Sequence, residues 1–210
     1  MLTEKEWMNA LEIRHGKELQ QKFSGATVAV CGLGGLGSNI SIALTRAGIG
    51  KLILIDYDRV DVTNLHRQQY KANQIGKFKT DALKENLLEI NPFADIKTVT
   101  EKITEDNFQV LLQDADVICE AFDQAQAKAM LVNAVLEHLS GCYLVASSGM
   151  AGMESANAIR TRRITEKFYL CGDEKSDVEN TIGLVAPRVM LCASHQAHTV
   201  LRILAGHYEI

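Results

Sequence analysis

A glycine-rich turn and an acidic residue beyond it are the first residues whose types and spacing could support chemistry. The turn contains four glycines, namely Gly32, Gly34, Gly35 and Gly37. Glycine lets the backbone turn tightly and approach a phosphate or a ribose, and the N-terminus of a following helix attracts anions. Asp56 follows Gly37 by 19 residues, where an acidic side chain accepts hydrogen bonds from ribose hydroxyls. The spacing predicts a nucleotide site; the alternative is that the glycines serve packing and Asp56 caps a loop.

A dense set of polar side chains follows Asp56 and bears on which nucleotide is bound. The set comprises Asp58, Asn64, Arg67, Gln68 and Lys79. Arg67 offers a planar fork suited to phosphate oxygens, and Lys79 offers a point charge. A dehydrogenase that binds NAD needs no basic residues here, because it binds only a pyrophosphate. The set therefore favours a different nucleotide, with solvated surface charge as the alternative for each basic residue.

Asp123 is a third candidate, placed directly after another apolar run. A carboxylate that faces a triphosphate commonly holds Mg²⁺. The alternative is that Asp123 caps the helix predicted to start at Gln124, and one side chain could serve both roles.

Alternating apolar runs and helical patterns supply the elements that position these residues. Strands are predicted at residues 26–31, 51–56, 95–100, 116–120 and 143–147, and helices at 38–47, 77–90, 105–113 and 124–139. Repeated strand–helix units predict an α/β fold, a doubly wound, mostly parallel, Rossmann-like sheet covered on both faces. Its strands would bring the glycine turn, Asp56 and Asp123 to one edge.

The two ends of the chain follow a different pattern. Residues 4–23 predict one amphipathic helix. Residues 156–163 and 167–170 predict a short antiparallel extension, 172–186 a mobile loop, and Pro187 the first turn of a last helix that ends near residue 205. We expect a single domain over 1–210, with an N-terminal helix (1–23), a Rossmann-like core (24–150) and a C-terminal part (151–210).

Composition narrows the class of protein. With 210 residues, one full-sized domain is expected, and a net charge of -4 gives no electrostatic reason to coat nucleic acid or an anionic membrane. The five cysteines are widely spaced without a C-x-x-C pair, so no zinc site of that type is predicted. No leader or apolar run of membrane-spanning length is recognised, and a cytoplasmic protein is expected.

Taken together, these residues resemble the ThiF/MoeB family of ubiquitin-activating-enzyme-like adenylyltransferases. The family pattern is G-x-G-G-x-G, then D-x-D leading to N-L-x-R-Q, then G-x-x-K, and an aspartate after a later strand. The matching positions are residues 32–37, 56–58, 64–68, 76–79 and 123, with further matches at 183–187 and 196–197. The resemblance covers about residues 10–205. The short chain and residues 148–152 are most similar to the compact ThiF-like branch of thiamine biosynthesis.

The resemblance implies a reaction and its cofactors. ATP and Mg²⁺ would bind, and the C-terminal glycine carboxylate of a ThiS-like sulfur carrier ending in Gly-Gly would attack the α-phosphorus and release pyrophosphate. Because a carboxylate is already a nucleophile, positioning and charge neutralisation would supply most of the rate. By resemblance, Asp56 takes the ribose, Asn64, Arg67 and Lys79 hold the phosphates, and Asp123 orients Mg²⁺. The expected nucleotide contacts are Gly32, Gly34, Gly35, Gly37, Asp56, Asp58, Asn64, Arg67, Gln68, Lys79, Asp123 and Arg14, with Arg67, Lys79 and Asp123 catalytic.

A homodimer is also expected from the resemblance. An N-terminal arginine of homodimeric relatives reaches the ATP of the partner, and Arg14 is the candidate here. The last helix carries an apolar stripe that could form the dimer face or belong to the core, made of Val189, Leu191, Val200, Leu201 and Leu204.

The chain departs from the family pattern in its cysteines. Related enzymes often hold a structural zinc with two C-x-x-C pairs, and none is expected here. The loop at 172–186, which could become ordered on carrier binding, contains no cysteine, and Cys171 stands at its edge. We therefore expect adenylylation without sulfur transfer, unless Cys171 proves exposed and acidic. Gln124 replaces the usual asparagine after the aspartate.

Three other functions compete with this interpretation. An NAD-dependent oxidoreductase would share the glycine turn and Asp56 but would not need Arg67 or Lys79. A non-catalytic nucleotide-binding module is disfavoured by the presence of Arg67, Lys79 and Asp123. The same chemistry on another carboxylate, or on a modified tRNA nucleoside, remains open, although the acidic net charge weighs against RNA.

Overall fold

A seven-stranded sheet organises the chain in a computed structural model that describes residues 2–178 and 181–210. Its strands are β1 Thr27–Cys31, β2 Lys51–Ile55, β3 Asp95–Val99, β4 Val117–Glu120, β5 Tyr143–Ser147, β6 Arg160–Arg163 and β7 Phe168–Gly172. The order across the sheet is β3-β2-β1-β4-β5-β7-β6. Strand β6 pairs antiparallel with β7, and the other pairs are parallel. The mostly parallel sheet with an antiparallel extension is confirmed.

Helices cover both faces of this sheet. They are α1 Glu4–His15, α2 Lys17–Ser24, α3 Gly35–Ala47, α4 Lys79–Ile90, α5 Phe108–Leu112, α6 Ala125–His138 and α7 Ala186–Ala205. Successive strand residues point to opposite faces, so Val28 and Val30 join a core with α3, α4 and α7, while Ala29 and Cys31 join a second core with α5 and α6. The sheet is therefore doubly wound, as predicted. Among the residues that the structure describes, no helix is both long enough and apolar enough to cross a bilayer.

The single helix predicted at residues 4–23 is wrong in one respect. The chain forms two helices, because Gly16 ends α1 with φ 85° and ψ 145° before α2 begins at Lys17. This conformation is readily adopted by glycine and is unfavourable for residues with a Cβ. Hydrophobic spacing continues across the break, and it therefore did not indicate the change of direction.

The strand predicted at residues 156–163 is also wrong over its first part. Residues Ala156–Ala158 form a 3₁₀ turn, and the Ser155 hydroxyl accepts a hydrogen bond from the amide of Asn157 at 3.3 Å. A serine that bonds to the following backbone competes with strand pairing. The extended conformation starts at Arg160, where β6 pairs with β7.

The last helix, α7, belongs largely to the core. Val189 and Val200 of the predicted dimer stripe are buried against the rest of the chain, whereas Leu191, Leu201 and Leu204 are half-buried. α7 packs on α3 and on strands β5 and β7. The two valines therefore serve the core, and a homodimer through this helix stays a prediction.

Candidate functional site

The glycine turn connects β1 to α3 and is closely packed. Gly32 has φ +91° and donates its amide hydrogen to Ile55 O at 2.9 Å, and a Cβ there would lie 2.8 Å from the backbone oxygen of Ala121. A Cβ on Gly37 would overlap the carbonyl oxygen of Gly32. Tyr70 fixes the turn from outside by donating its hydroxyl hydrogen to Leu33 O at 2.7 Å. The turn therefore requires glycine at these two positions for backbone packing.

A cavity of about 580 Å³ opens beside this turn, at the carboxyl ends of the parallel strands. Ten of the twelve predicted nucleotide contacts line it, namely Gly32, Gly34, Gly35, Asp56, Asp58, Asn64, Arg67, Gln68, Lys79 and Asp123. Gly37 lies behind the turn in the packing of α3. Arg14 is exposed on α1 and does not line the cavity. Its predicted role concerns a partner subunit and stays a prediction.

Two aspartates and a lysine occupy one side of the cavity. Asp56 is buried and accepts hydrogen bonds from the amides of Leu33 at 2.6 Å and Asp58 at 2.7 Å. The Lys79 Nζ lies 2.7 Å from Asp58 Oδ2 and 3.9 Å from Asp56 Oδ2. Burial raises the pKa of Asp56, although Lys79 and the two amides act in the opposite direction. Lys79 thus compensates the carboxylates that face the cavity.

A backbone pairing explains how Lys79 reaches this position. The helix predicted from residue 77 begins at Lys79 instead, because Lys77 O accepts a hydrogen bond from the amide of Val60 at 2.9 Å. The Lys79 amide in turn donates to Asp58 O at 2.9 Å. This short antiparallel contact, centred on Arg59 and Phe78, keeps the first residue of α4 beside the aspartates.

Arg67 and Gln68 leave polar atoms without partners. Within residues 2–178 and 181–210, Arg67 Nε and Gln68 Oε1 are buried and have no hydrogen-bond partner. Arg67 Nη1 donates to Thr63 O at 3.1 Å. Burial lowers the pKa of the Arg67 guanidinium, and the charge of Asp123 partly offsets this effect. Unpartnered buried polar groups are costly, and the positive charge of Arg67 gives this side of the cavity a chemistry that suits an anion.

Asp123 lies after β4, exposed at the rim of the cavity. The alternative role as a helix cap is wrong: Gln124 is the N-cap of α6, and no side chain makes a capping hydrogen bond there. In the part of the chain that the structure describes, no group of three or more His, Cys, Asp or Glu residues could hold a metal ion. A carboxylate of this kind suits a hydrated Mg²⁺ that also binds the phosphates of a nucleotide.

A buried ion pair beneath Asp123 was not recognised in the sequence as part of the site. Glu120, at the end of β4, is fully buried, and Lys128 Nζ lies 2.9 Å from each of its carboxylate oxygens. Gln196 of α7 is also buried and donates to Glu120 O at 3.0 Å. The spacing of Glu120 and Lys128 across a strand–helix turn was the available signal, but long-range burial cannot be inferred from it.

The loop that follows β7 is anchored by a second buried ion pair, between Arg188 and Asp173. Arg188 also donates to the carbonyl oxygens of Ala151, Glu154 and Ser155 at 3.1, 2.6 and 2.9 Å. The start of the loop predicted to be mobile at 172–186 is therefore held by hydrogen bonds. Glu179 and Asn180 lie outside the described residues.

Replacing Arg188 with alanine is expected to destabilise the fold by about 3–5 kcal/mol, because it leaves the Asp173 carboxylate buried without its partner. Three backbone carbonyls lose their donor in the same change. Urea unfolding measures the difference. The matched control is Arg160→Ala, since Arg160 is exposed on β6, and an equal loss in both variants would contradict this account.

All five cysteines are buried and free. Burial raises the pKa of the Cys171 thiol to about 11. An inaccessible thiol with a raised pKa is a poor nucleophile, so Cys171 is neither exposed nor acidic as sulfur transfer would require.

We expect the native protein to react slowly with Ellman's reagent at all five thiols and rapidly after unfolding in guanidinium. The reason is that the reagent must reach a thiolate. Fast modification of one thiol in the native protein, lost in Cys171→Ser, would contradict this expectation.

Comparison with known proteins places the chain in a family. It matches the ThiF family over residues 8–210. The molybdopterin-synthase adenylyltransferase of Salmonella typhimurium is 31% identical over 201 residues, which cover 91% of this chain and 77% of that protein. The tRNA threonylcarbamoyladenosine dehydratase of Bacillus subtilis is 32% identical over 142 residues, covering 67% and 55%.

Other relatives are longer, and solved structures agree on the fold. The adenylyltransferase and sulfurtransferase UBA4 of Lodderomyces elongisporus is 29% identical over 195 residues. The matched region covers 90% of this chain but only 42% of that protein. The chain spans less than half of the first curated relatives it matches. The Escherichia coli tRNA N6-threonylcarbamoyladenosine dehydratase TcdA in complex with ATP superposes with a TM-score of 0.86 at 21% identity, covering 98% of this chain and 97% of that one. Because the match to the ThiF family covers almost the whole length of the chain, the chain belongs to this family.

Proposed function

We propose that the cavity binds ATP and catalyses transfer of its adenylyl group to a carboxylate, with release of pyrophosphate. The observation that carries this proposal is the cavity that brings the guanidinium of Arg67 together with the glycine turn and Asp56. A guanidinium that is partly shielded from water is well suited to an anion with several oxygens, such as a phosphate chain. The ATP and AMP complexes of TcdA support a nucleotide in a fold of this kind.

Each wall of the cavity has a part in this reaction. Asp56 would accept the ribose hydroxyls, and Gln68 Oε1 is the second acceptor available nearby. The N-terminus of α3 at Gly35 and the guanidinium of Arg67 would stabilise the phosphate charge. Lys79 was predicted to hold phosphates, but its ion pairs favour a role in compensating Asp56 and Asp58.

The bond changes need no strong base. An oxygen of the acceptor carboxylate attacks the α-phosphorus, the bond from that phosphorus to the β-phosphate oxygen breaks, and pyrophosphate leaves with the electron pair. Asp123 would hold Mg²⁺ against the phosphates, and the ion supplies neutralisation of charge on the leaving group. Positioning of the two reactants provides the remainder of the rate.

The acceptor we propose is the C-terminal Gly-Gly carboxylate of a small ubiquitin-like carrier. The cavity is also lined by small residues, namely Ser147, Ser148, Gly149, Ala151 and Ser176, together with the larger Met150 and Leu184. A passage of this composition suits a thin, extended peptide end. Several relatives are named as ubiquitin-like modifier-activating enzymes, which supports such a partner. A carrier of thiamine biosynthesis stays a prediction, because the relatives described above carry other names.

A carboxylate on a modified tRNA is the second candidate. Two similar proteins are named as tRNA threonylcarbamoyladenosine dehydratases. The solved structure of one of them superposes on nearly the full length of both chains. Strand β6 also presents Arg160, Arg162 and Arg163 at the sheet edge. Arg162 and Arg163 are paired with Glu174 and Glu209, so little positive charge is left for RNA. The oxidoreductase alternative gains no support, since Arg67 and Lys79 both face the cavity.

Radiolabelled pyrophosphate exchange into ATP tests the proposal. We expect exchange that depends on a carrier ending in Gly-Gly and that is absent with the same carrier amidated at its C-terminus. Exchange with threonylcarbamoyladenosine-containing tRNA and none with carrier would select the second candidate. Exchange with neither acceptor, despite ATP binding, would refute carboxylate adenylylation by this chain on these two acceptor classes.

A further inference from the structure

The ion pair between Glu120 and Lys128 contacts the turn that carries Asp123. Glu120 ends β4 in the middle of the sheet, between β1 and β5, and is fully buried. Lys128 lies in the second turn of α6, and its side chain is 24% exposed and lines the cavity. A buried carboxylate must be paired and hydrogen-bonded to remain charged, and Lys128 provides that partner.

Hydrogen bonds from this pair fix both polar groups of Phe122, the residue before Asp123. The Phe122 amide donates to Glu120 Oε1 at 2.7 Å, and Lys128 Nζ donates to Phe122 O at 2.9 Å. Lys128 Nζ also lies 3.4 Å from Ser147 Oγ at the end of β5. The turn, the strand ends and α6 are therefore connected through one ammonium group.

Other contacts hold the residues before Asp123: the Ala121 amide donates to Cys31 O at 2.9 Å, and the Phe122 side chain packs against the second core. Gln124, the N-cap of α6, makes no side-chain capping hydrogen bond. Asp123 itself is exposed at the cavity rim, so packing does not determine its position. The hydrogen bonds on Phe122 are the contacts that join the backbone directly before Asp123 to Glu120 and to α6.

We propose that Lys128, held by Glu120, is a positioning residue that sets the Asp123 carboxylate for the metal-bound nucleotide. This inference rests on the proposed function and adds a residue that the family motif did not include. Lys128 acts through Asp123, since its donors are occupied by Glu120, Phe122 and Ser147. Partners that orient a metal-binding carboxylate in this way affect affinity by about 10- to 100-fold.

A double-mutant cycle with Asp123 tests the coupling. Calorimetry should show that Lys128→Met weakens Mg·ATP binding by about 10-fold in the wild-type background. In the Asp123→Asn background the same change should weaken it by less than about 2-fold, because the affected carboxylate is already absent. Lys128→Arg, which keeps the pair with Glu120, should restore most of the affinity. An equal loss in both backgrounds would overturn the proposal, as would no loss in either.

A second measurement decides the question without a nucleotide. Amide hydrogen exchange of Phe122 should accelerate at least about 10-fold in Lys128→Met, because Glu120, which accepts the hydrogen bond of this amide, loses the lysine that holds it. Unchanged protection would overturn the positioning role. The single variant Lys128→Met leaves Glu120 buried and unpaired, and it could therefore fail to fold. In that case the double variant Glu120→Gln/Lys128→Met, which removes both charges, is measured in its place. Wild-type protein that binds no ATP would instead refute the proposed function, and the exchange result would stand separately.

Discussion

Arg67→Ala is expected to lower the rate of pyrophosphate exchange by about 100- to 1000-fold. The guanidinium lies half-buried in the cavity beside the glycine turn, where a phosphate of the proposed nucleotide would meet its charge. Removing one preorganised group that stabilises developing charge has a cost of this order. Exchange at saturating ATP and acceptor, compared between variant and wild type, measures it.

Two further variants make this result specific to the guanidinium. Arg67→Lys should recover little of the activity, because an ammonium cannot reproduce the planar fork. Arg46→Ala is the matched control, since Arg46 is exposed at the opposite end of α3 from the glycine turn. Exchange within about 2-fold of wild type in Arg67→Ala would remove Arg67 from the phosphate site.

Gly37→Ala is expected to destabilise the fold by about 3 kcal/mol or more. The added methyl would overlap the carbonyl oxygen of Gly32, which is backbone and has no rotamer to adopt. Relief requires the turn to separate from α3, and forcing atoms into a close-packed region usually costs on this scale. The midpoint of urea unfolding measures the loss, and ATP binding should fall with it.

Gly141→Ala is the matched control for this prediction. A Cβ at Gly141 meets nothing within 4 Å, and its φ is not in the left-handed region. We expect its stability to stay within about 0.5 kcal/mol of wild type. Equal stability of the two variants would show that the β1–α3 turn tolerates a side chain.

The cavity was largely predictable, because its residues follow the ends of parallel strands. Asp56 and Asp123 come directly after apolar runs, and strand order then brings them to one edge with the glycine turn. Arg67 was predictable through its motif. Its unpartnered Nε was not, since burial depends on how residues 62–68 pack against α3.

Gly16 and residues 156–158 show where pattern reasoning failed. Hydrophobic spacing runs through the α1–α2 break, and a local hydrogen bond from the Asn157 amide to the Ser155 hydroxyl replaces strand pairing. Both outcomes depend on backbone geometry at one residue. Periodicity averages over several residues and does not detect them.

By itself, the sequence determined the alternation of strands and helices, the glycine turn and the chemical types that face the cavity, because these depend on local spacing. The tertiary structure alone decided which charges are paired. Lys79 was available to phosphates in the sequence, yet the contact between Val60 and Lys77 places it on Asp58. Lys128 falls within the helix predicted at residues 124–139 and was given no role there, yet it compensates the buried Glu120. Pairing depends on burial and on contacts between distant segments, and those exist only once the sheet has formed.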